Sequence, residues 1–379
     1  MDSTDDSTEE GADASTADRL EECAEVGTAA FSEIPVISLA PLFATGPNAA
    51  AEQAELAERL CQICHEIGFF LVVDHEIPIE LTHAVFDMME RFFSLPVEQK
   101  MLIDKQASRH FRGWEPVGTE FTNNRPDIRE QIDMWTERPA LPPAAEPTYM
   151  RLLGPNQWLE DDVLSGHREL SMAWFEALGD LADRLLSSLS VGMGLEADHM
   201  QRFFGQQSMS LAKFIHYPPT PAGQAGVNGH HDAGFLTVLA PGPTPGLQVQ
   251  NQDEQWIDVP SVENAFVINL GEMLQGVTGN YLVATPHRVI TGEERYSTGY
   301  FHGPSLDTPL AALPLDNRFA EAVAASPHHS SAGFMARKHE TESGIGDMRS
   351  DHKPDTYGEQ LWNYFTRSYP SIMERHYGS

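Results

Sequence analysis

The chain has 379 residues, 41% of them hydrophobic, enough for one substantial core with helical additions. Its 56 acidic and 24 basic side chains give a formal net charge of -32. That balance argues against nucleic acid and against an anionic membrane as partners, because both need a basic surface. No run of 18 apolar residues occurs, and the start MDSTDDSTEE lacks the basic-then-apolar order of a secretory signal. A cytoplasmic location is therefore expected.

Residues 1–30 carry ten acids and one base, Arg19, and read as a disordered acidic arm. IPVISL (Ile34 to Leu39) reads as a short strand. Residues 50–68 follow a helical period that Gly68 ends. Within it, Cys61 and Cys64 form a CxxC. With one further cysteine, Cys23, there is no disulfide framework, and the pair reads as helix packing, with redox or metal chemistry as the alternative. Phe69 to Val73 reads as a buried strand and residues 79–94 as an amphipathic helix. Residues 104–148 are polar and rich in Gly and Pro, with four arginines between 109 and 129; they read as a long loop with short strands. Residues 166–190 form a long helical segment.

From 208 to 305 short apolar runs alternate with turns: SLAKFIHY, FLTVLA, GLQVQ, QWIDV, AFVINL, YLVAT, HRVI and YSTGYFH. Many short strands with close turn signals predict a mainly β protein, a sandwich or barrel such as a jelly roll, with flanking helices. Helix resumes near 316–326 and 357–375. The expected organisation is an acidic arm at 1–30 and an α/β and helical support region at 31–200. A catalytic jelly-roll core follows at 201–310, and a C-terminal helical region at 311–379 packs on it.

The densest chemistry is GHHDAGFLTVL. His230 and Asp232 are two apart, so an extended chain points both to one side. His287 follows in ATPHRVI. Two histidines and a carboxylate on β elements match the facial arrangement of non-haem Fe(II) oxygenases, which leaves coordination positions for substrate and O2. His231 points the other way on a regular strand. Arg295 and Ser297, in Arg295-Tyr296-Ser297, also share a face; an Arg fork and a hydroxyl suit the far carboxylate of 2-oxoglutarate.

Several ordered segments strengthen this reading: IPVISLAPL, EIGFFLVVDHEIP, YPP at Tyr217–Pro219, HHDAGFLTVL, GLQV, VINLGEML, ATPHRV and RYS. Together they resemble the isopenicillin N synthase-like branch of the Fe(II)/2-oxoglutarate-dependent oxygenases over roughly residues 33–375. The resemblance implies a double-stranded β-helix, iron on His230, Asp232 and His287, and 2-oxoglutarate held by Arg295 and Ser297 with Tyr217 at the same end. Family members that use 2-oxoglutarate often carry Asn two residues before that Tyr; here the residue is Ile215. The family's Asn-Gly appears reversed as Gly279-Asn280, a change expected to stay within a turn.

The implied activity is a dioxygenase reaction with Fe(II), 2-oxoglutarate and O2 on a small organic, carboxylate-bearing metabolite such as an amino acid or natural-product intermediate. Hydroxylation is the leading outcome, with desaturation or cyclisation beside it. A 2-oxoglutarate-independent iron oxidase or oxidative cyclase stands as the alternative, and a non-catalytic binding protein on the same fold is the weakest reading. Substrate-side candidates are Phe235 and Phe301 beside the site, and Arg112 and Trp114 in RHFRGWEPVGTEF, with Arg125 and Arg129 behind them. No feature of the sequence sets an oligomeric state.

Overall fold

Two-residue periodicity decides which side of the main sheet each side chain meets. The structure, a computed structural model, describes residues 30–122, 125–221, 224–326, 328–329 and 355–378. The expected acidic arm lies outside the described residues, apart from its last position.

The strands in chain order are β1 (Val36–Ser38), β2 (Phe69–Val73), β3 (Gly113–Glu115), β4 (Phe121–Thr122), β5 (Arg125–Pro126), β6 (Glu130–Trp135) and β7 (Leu211–Tyr217). They continue with β8 (Val227–His230), β9 (Leu236–Ala240), β10 (Leu247–Gln250), β11 (Trp256–Asp258), β12 (Phe266–Leu270), β13 (His287–Val289) and β14 (Arg295–His302). An eight-stranded sheet runs β1-β2-β12-β9-β14-β7-β6-β3, a four-stranded sheet runs β11-β10-β13-β8, and β4 pairs with β5. Only β1 and β2 pair in parallel; the other neighbours are antiparallel.

The two larger sheets enclose one core, and the helices cover a second. Phe69 and Leu71 of β2 pack with Val227, Leu247, Val249 and Val289 of the smaller sheet. Their neighbours Phe70 and Val72 turn to the helical layer. That layer is led by the helix His167–Gly192, whose Trp174, Leu178, Leu181, Leu185 and Leu189 recur at three- and four-residue spacing and are buried. Trp174 Nε1 donates to Thr298 Oγ1 of β14 at 3.1 Å, and His302 Nε2 lies 3.1 Å from Asp183 Oδ1 on the same helix. The even-numbered residues Thr298 and His302 thus meet the helix. Arg295, Ser297 and Phe301 are left for the interior between the sheets.

The helix Ala49–Glu66 ends two residues before Gly68, which takes φ +66°. A Cβ there would lie 1.9 Å from Val283 O, so both the turn and the close approach require glycine. Cys61 and Cys64 are buried on this helix as free thiols, and burial pushes Cys61 up to about 11, the behaviour of packing residues. Among the described residues no helix is long and apolar enough to cross a membrane.

One expectation changes. YLVAT forms no strand, because its amides bond outside any ladder: Val283 N donates to Cys64 O at 3.0 Å and Ala284 N to Gln275 Oε1 at 2.7 Å. The polar stretch 104–148 holds short strands, as expected, and supplies β3 and β6 to the main sheet, alongside β1 and β2. β6, EQIDMW, is buried at every position, and its charges find partners inside.

Candidate active site

β8 ends at His230 and β13 begins at His287, and the register places these two residues directly opposite each other. Their ring centroids are 4.3 Å apart. Asp232 follows β8 on a loop fixed from below: Glu272 N donates to Asp232 O at 2.7 Å, and Met273 N to Ala233 O at 3.3 Å. Gly271 permits this contact, since a Cβ there would lie 2.1 Å from Gly234 O. The three side chains offer ligand atoms that all lie within 4.8 Å of one another.

The lone pairs are sorted by neighbours. His230 Nδ1 faces Asn228 O at 2.9 Å and His287 Nδ1 faces Thr285 O at 3.1 Å. Each Nδ1–H therefore donates to a carbonyl and leaves Nε2 as a base. Asp232 Oδ2 accepts from Thr237 Oγ1 at 2.5 Å and Asn269 Nδ2 at 2.7 Å. Oδ1 is left 3.7 Å from both Nε2 atoms. Burial, aided by repulsion from His287, pushes His230 down to about 3. Burial alone would raise Asp232, but His287, His230 and the two hydrogen bonds hold its carboxyl below the ordinary range. A neutral imidazole and an ionised carboxylate are the forms that bind a divalent metal.

Two cavities meet here and share His230, Asp232, Arg129 and Phe301. The smaller, of about 50 Å³, is walled by apolar Phe69, Ile215, Val227, Leu247 and Val289, with Tyr217, Arg295 and Ser297 also on its lining. Arg295 and Tyr217 are cross-strand partners, as are Ser297 and Ile215. Arg295 is 1% exposed. Its Nε donates to Thr244 O at 3.2 Å and its Nη2 to Pro241 O at 2.9 Å, while Nη1 has no hydrogen bond. Its guanidinium carbon lies 5.1 Å from the Tyr217 ring centroid. Among the described residues no carboxylate pairs with it. A buried guanidinium with an unspent N–H and no counter-ion fits an incoming carboxylate, as the donor set of the triad fits a ferrous ion.

The larger cavity, of about 140 Å³, is lined by Glu120, Arg129, Asp133 and Lys213 on its polar side. Trp135, Phe301 and the C-terminal residues Tyr357, Leu361, Tyr364, Phe365 and Tyr369 add an aromatic-rich wall. His231 is also on the lining, with its Nδ1 3.1 Å from Ala284 O.

Four substrate-side candidates are not on this lining, Arg125 being exposed on β5. Arg112 is fully buried, donating from Nη1 to His110 O and to Leu152 O. Trp114 donates to Glu130 Oε2 at 2.9 Å and lies under Lys100, on the opposite face of β3 from Glu115. Phe235 is a core residue, packed against Phe203 and Phe204 at 5.7 and 5.5 Å between centroids. Phe301 lines both cavities. The reading from sequence missed Thr237, Asn269, Glu120, Asp133, Lys213 and the C-terminal aromatics. Two signals were present: Asn269 is the one polar residue in the buried strand FVINL, and Tyr357, Leu361, Tyr364 and Phe365 form one helical stripe.

Comparison with known proteins agrees with this geometry. Residues 34–161 match the family described as "non-haem dioxygenase in morphine synthesis N-terminal", and residues 206–304 match the 2OG-Fe(II) oxygenase superfamily. A 2-oxoglutarate-dependent dioxygenase of Gibberella zeae is 33% identical over 291 residues, spanning 75% of this chain and 74% of that protein. The 2-oxoglutarate-dependent dioxygenase frbJ of a Dothideomycetidae species is 29% identical over 355 residues, 91% of this chain and 92% of the relative. In fold the chain is similar to a full-length Neurospora crassa protein crystallised in complex with alpha-KG, at a TM-score of 0.67 and 22% identity over 87% of this chain and 95% of that one. The chain therefore belongs to the 2OG-Fe(II) oxygenase superfamily and is an Fe(II)- and 2-oxoglutarate-dependent oxygenase of a small organic substrate.

Proposed function

We propose that His230, Asp232 and His287 hold the ferrous ion, that Arg295 and Ser297 grip the far carboxylate of 2-oxoglutarate beside Tyr217, and that the larger cavity receives the substrate. The observation that carries this assignment is the unpartnered Nη1 of a fully buried Arg295, in a cavity that also contains the triad. The two facing sheets are the halves of a double-stranded β-helix. Within the superfamily the ordered segments from IPVISLAPL to RYS support the isopenicillin N synthase-like branch.

Each residue has a defined task. The carbonyls of Asn228 and Thr285 fix the imidazole tautomers, and Thr237 with Asn269 occupies Oδ2 so that Asp232 presents a single oxygen. When bound, Fe(II) with O2 supplies the oxidising power, 2-oxoglutarate ending as succinate and CO2 while a C–H bond of the substrate is oxidised. The apolar walls around Arg295 exclude water from the cosubstrate, and Ile215 leaves its polar contacts to the opposite strand. Phe301, on both linings, lies where cosubstrate and substrate meet.

Succinate formation is the test. Supplied with Fe(II), 2-oxoglutarate and O2, the chain is expected to release succinate slowly by itself and faster with a fitting metabolite. Unchanged release from Asp232→Ala would contradict the assignment.

A further inference from the structure

The polar wall of the larger cavity is a closed ion network in which Asp127 Oδ1, Gln131 Oε1 and Asp133 Oδ1 accept no hydrogen bond and Arg129 Nε donates none; of the three acceptors, only Asp133 Oδ1 belongs to a residue on the cavity lining. Glu120 accepts from Arg129 Nη2 at 2.7 Å and from Lys213 Nζ at 3.0 and 3.1 Å. Gln131 Nε2 adds a bond at 2.7 Å and the Tyr364 hydroxyl one at 3.4 Å. Arg129 also pairs with Asp127 at 3.0 Å. Behind the wall, Lys105 pairs with Glu115 at 2.8 Å and with Asp133 Oδ2 at 2.7 Å. Four carboxylates, Glu115, Glu120, Asp127 and Asp133, thus share three cations, Lys105, Arg129 and Lys213. Asp133 is 4% exposed, and its Oδ1 lies 3.4 Å from Lys213 Nζ without forming a hydrogen bond.

An anionic substrate finds no free cation here. Among the described residues, the Arg and Lys on the lining, Arg129 and Lys213, are each committed to two carboxylates. Drawing either one away would strand a buried carboxylate, which is strongly unfavourable. Of the arginines offered from sequence on the substrate side, Arg112 is turned elsewhere and Arg129 is the one on the lining. A cationic nitrogen meets the reverse situation: the network carries one excess carboxylate, Asp133 Oδ1 accepts no hydrogen bond and has only its 3.4 Å ion pair with Lys213, and the lining rings Trp135, Tyr364 and Phe365 are of the kind that attract cations. The net charge of -32 draws cations from solution.

We propose that this cavity selects a substrate bearing a cationic nitrogen, an ammonium or guanidinium on a small apolar body, which docks on Asp133 with its body against the aromatic wall. The proposal rests on the larger cavity being the substrate site. It replaces the carboxylate-bearing substrate expected from sequence.

The test is a charge series on one ring size: benzylammonium, benzyl alcohol and benzoate. Their binding is measured by calorimetry to the anaerobic chain with Fe(II) and 2-oxoglutarate, and again without metal. Benzylammonium is expected to bind at least tenfold more tightly than either of the others in both states, and Asp133→Asn to reduce that margin to about threefold or less. Benzoate or benzyl alcohol binding as tightly as benzylammonium, or a margin untouched in folded Asp133→Asn, overturns the proposal. The wild-type series decides even if loss of the Lys105 partner prevents that variant from folding. Iron binding is scored separately by ferrous titration, so failure of the triad assignment with the ammonium margin intact leaves this proposal standing.

Discussion

Arg295 and Arg129 are both buried guanidiniums near the same triad, each with one idle N–H (Nη1 of Arg295, Nε of Arg129), and their surroundings differ in one respect. Arg295 has carbonyl partners and no carboxylate among the described residues, whereas Arg129 is clasped by Glu120 and Asp127. A desolvated cation without a counter-ion is a receptor for an anion; one that is already neutralised is part of the wall. On the proposed assignment, the same residue type therefore marks the cosubstrate end in one case and closes the substrate end to carboxylates in the other.

The largest expected effects fall where the two ends meet. Asp232→Ala or His287→Ala removes a ligand from a three-residue donor set, and ferrous titration is expected to show loss of stoichiometric iron and of all succinate formation. Retained iron in either variant would break the comparison at its centre. Arg295→Gln is expected to weaken 2-oxoglutarate by roughly a hundredfold, the usual scale for losing one partner of a buried charge pair, with benzylammonium affinity unchanged. Equal losses at both ends would show that they are not separate. Asn269→Ala is expected to weaken iron binding by about ten- to a hundredfold, because Asp232 Oδ2 loses a donor and the carboxylate can turn.

The smallest effect is a pH dependence confined to the substrate wall. Burial pushes Asp127 up to about 6, with Arg129 pulling it back and Glu120 adding to the rise. Above that pH four carboxylates face three cations; below it Asp127 takes up a proton and the count is even. Preference for benzylammonium over benzyl alcohol is therefore expected to fall by roughly threefold between pH 7.5 and 5.5, and to stay flat in Asp127→Asn. A rise on acidification would have the wrong sign.

The legible parts of the sequence were those with local periodicity. Phe69 to Val73 follows from its continuous apolar run, and the long helix and the strands between β7 and β14, YLVAT excepted, from short-range spacing and turns, as does the convergence of His230 with Asp232. β6 was hidden because its buried face carries Gln131 and Asp133, whose partners Lys105, Glu115 and Lys213 lie far along the chain or on other strands. Trp114 and Phe235 misled for a related reason. Proximity in sequence to the site does not say which face of a strand or loop a side chain takes, and both turn to other layers. The C-terminal stripe showed that a helix packs, but the cavity as its neighbour emerges only once the chain is folded.

The most direct measurement is an anaerobic titration of the ferrous chain with 2-oxoglutarate, followed by visible absorption. A weak charge-transfer band that saturates at one equivalent in the wild type, and needs far more cosubstrate in Arg295→Gln, is the predicted result. A ferrous chain that develops no band, or a band whose midpoint is the same in both proteins, would contradict the placement of 2-oxoglutarate between the triad and Arg295.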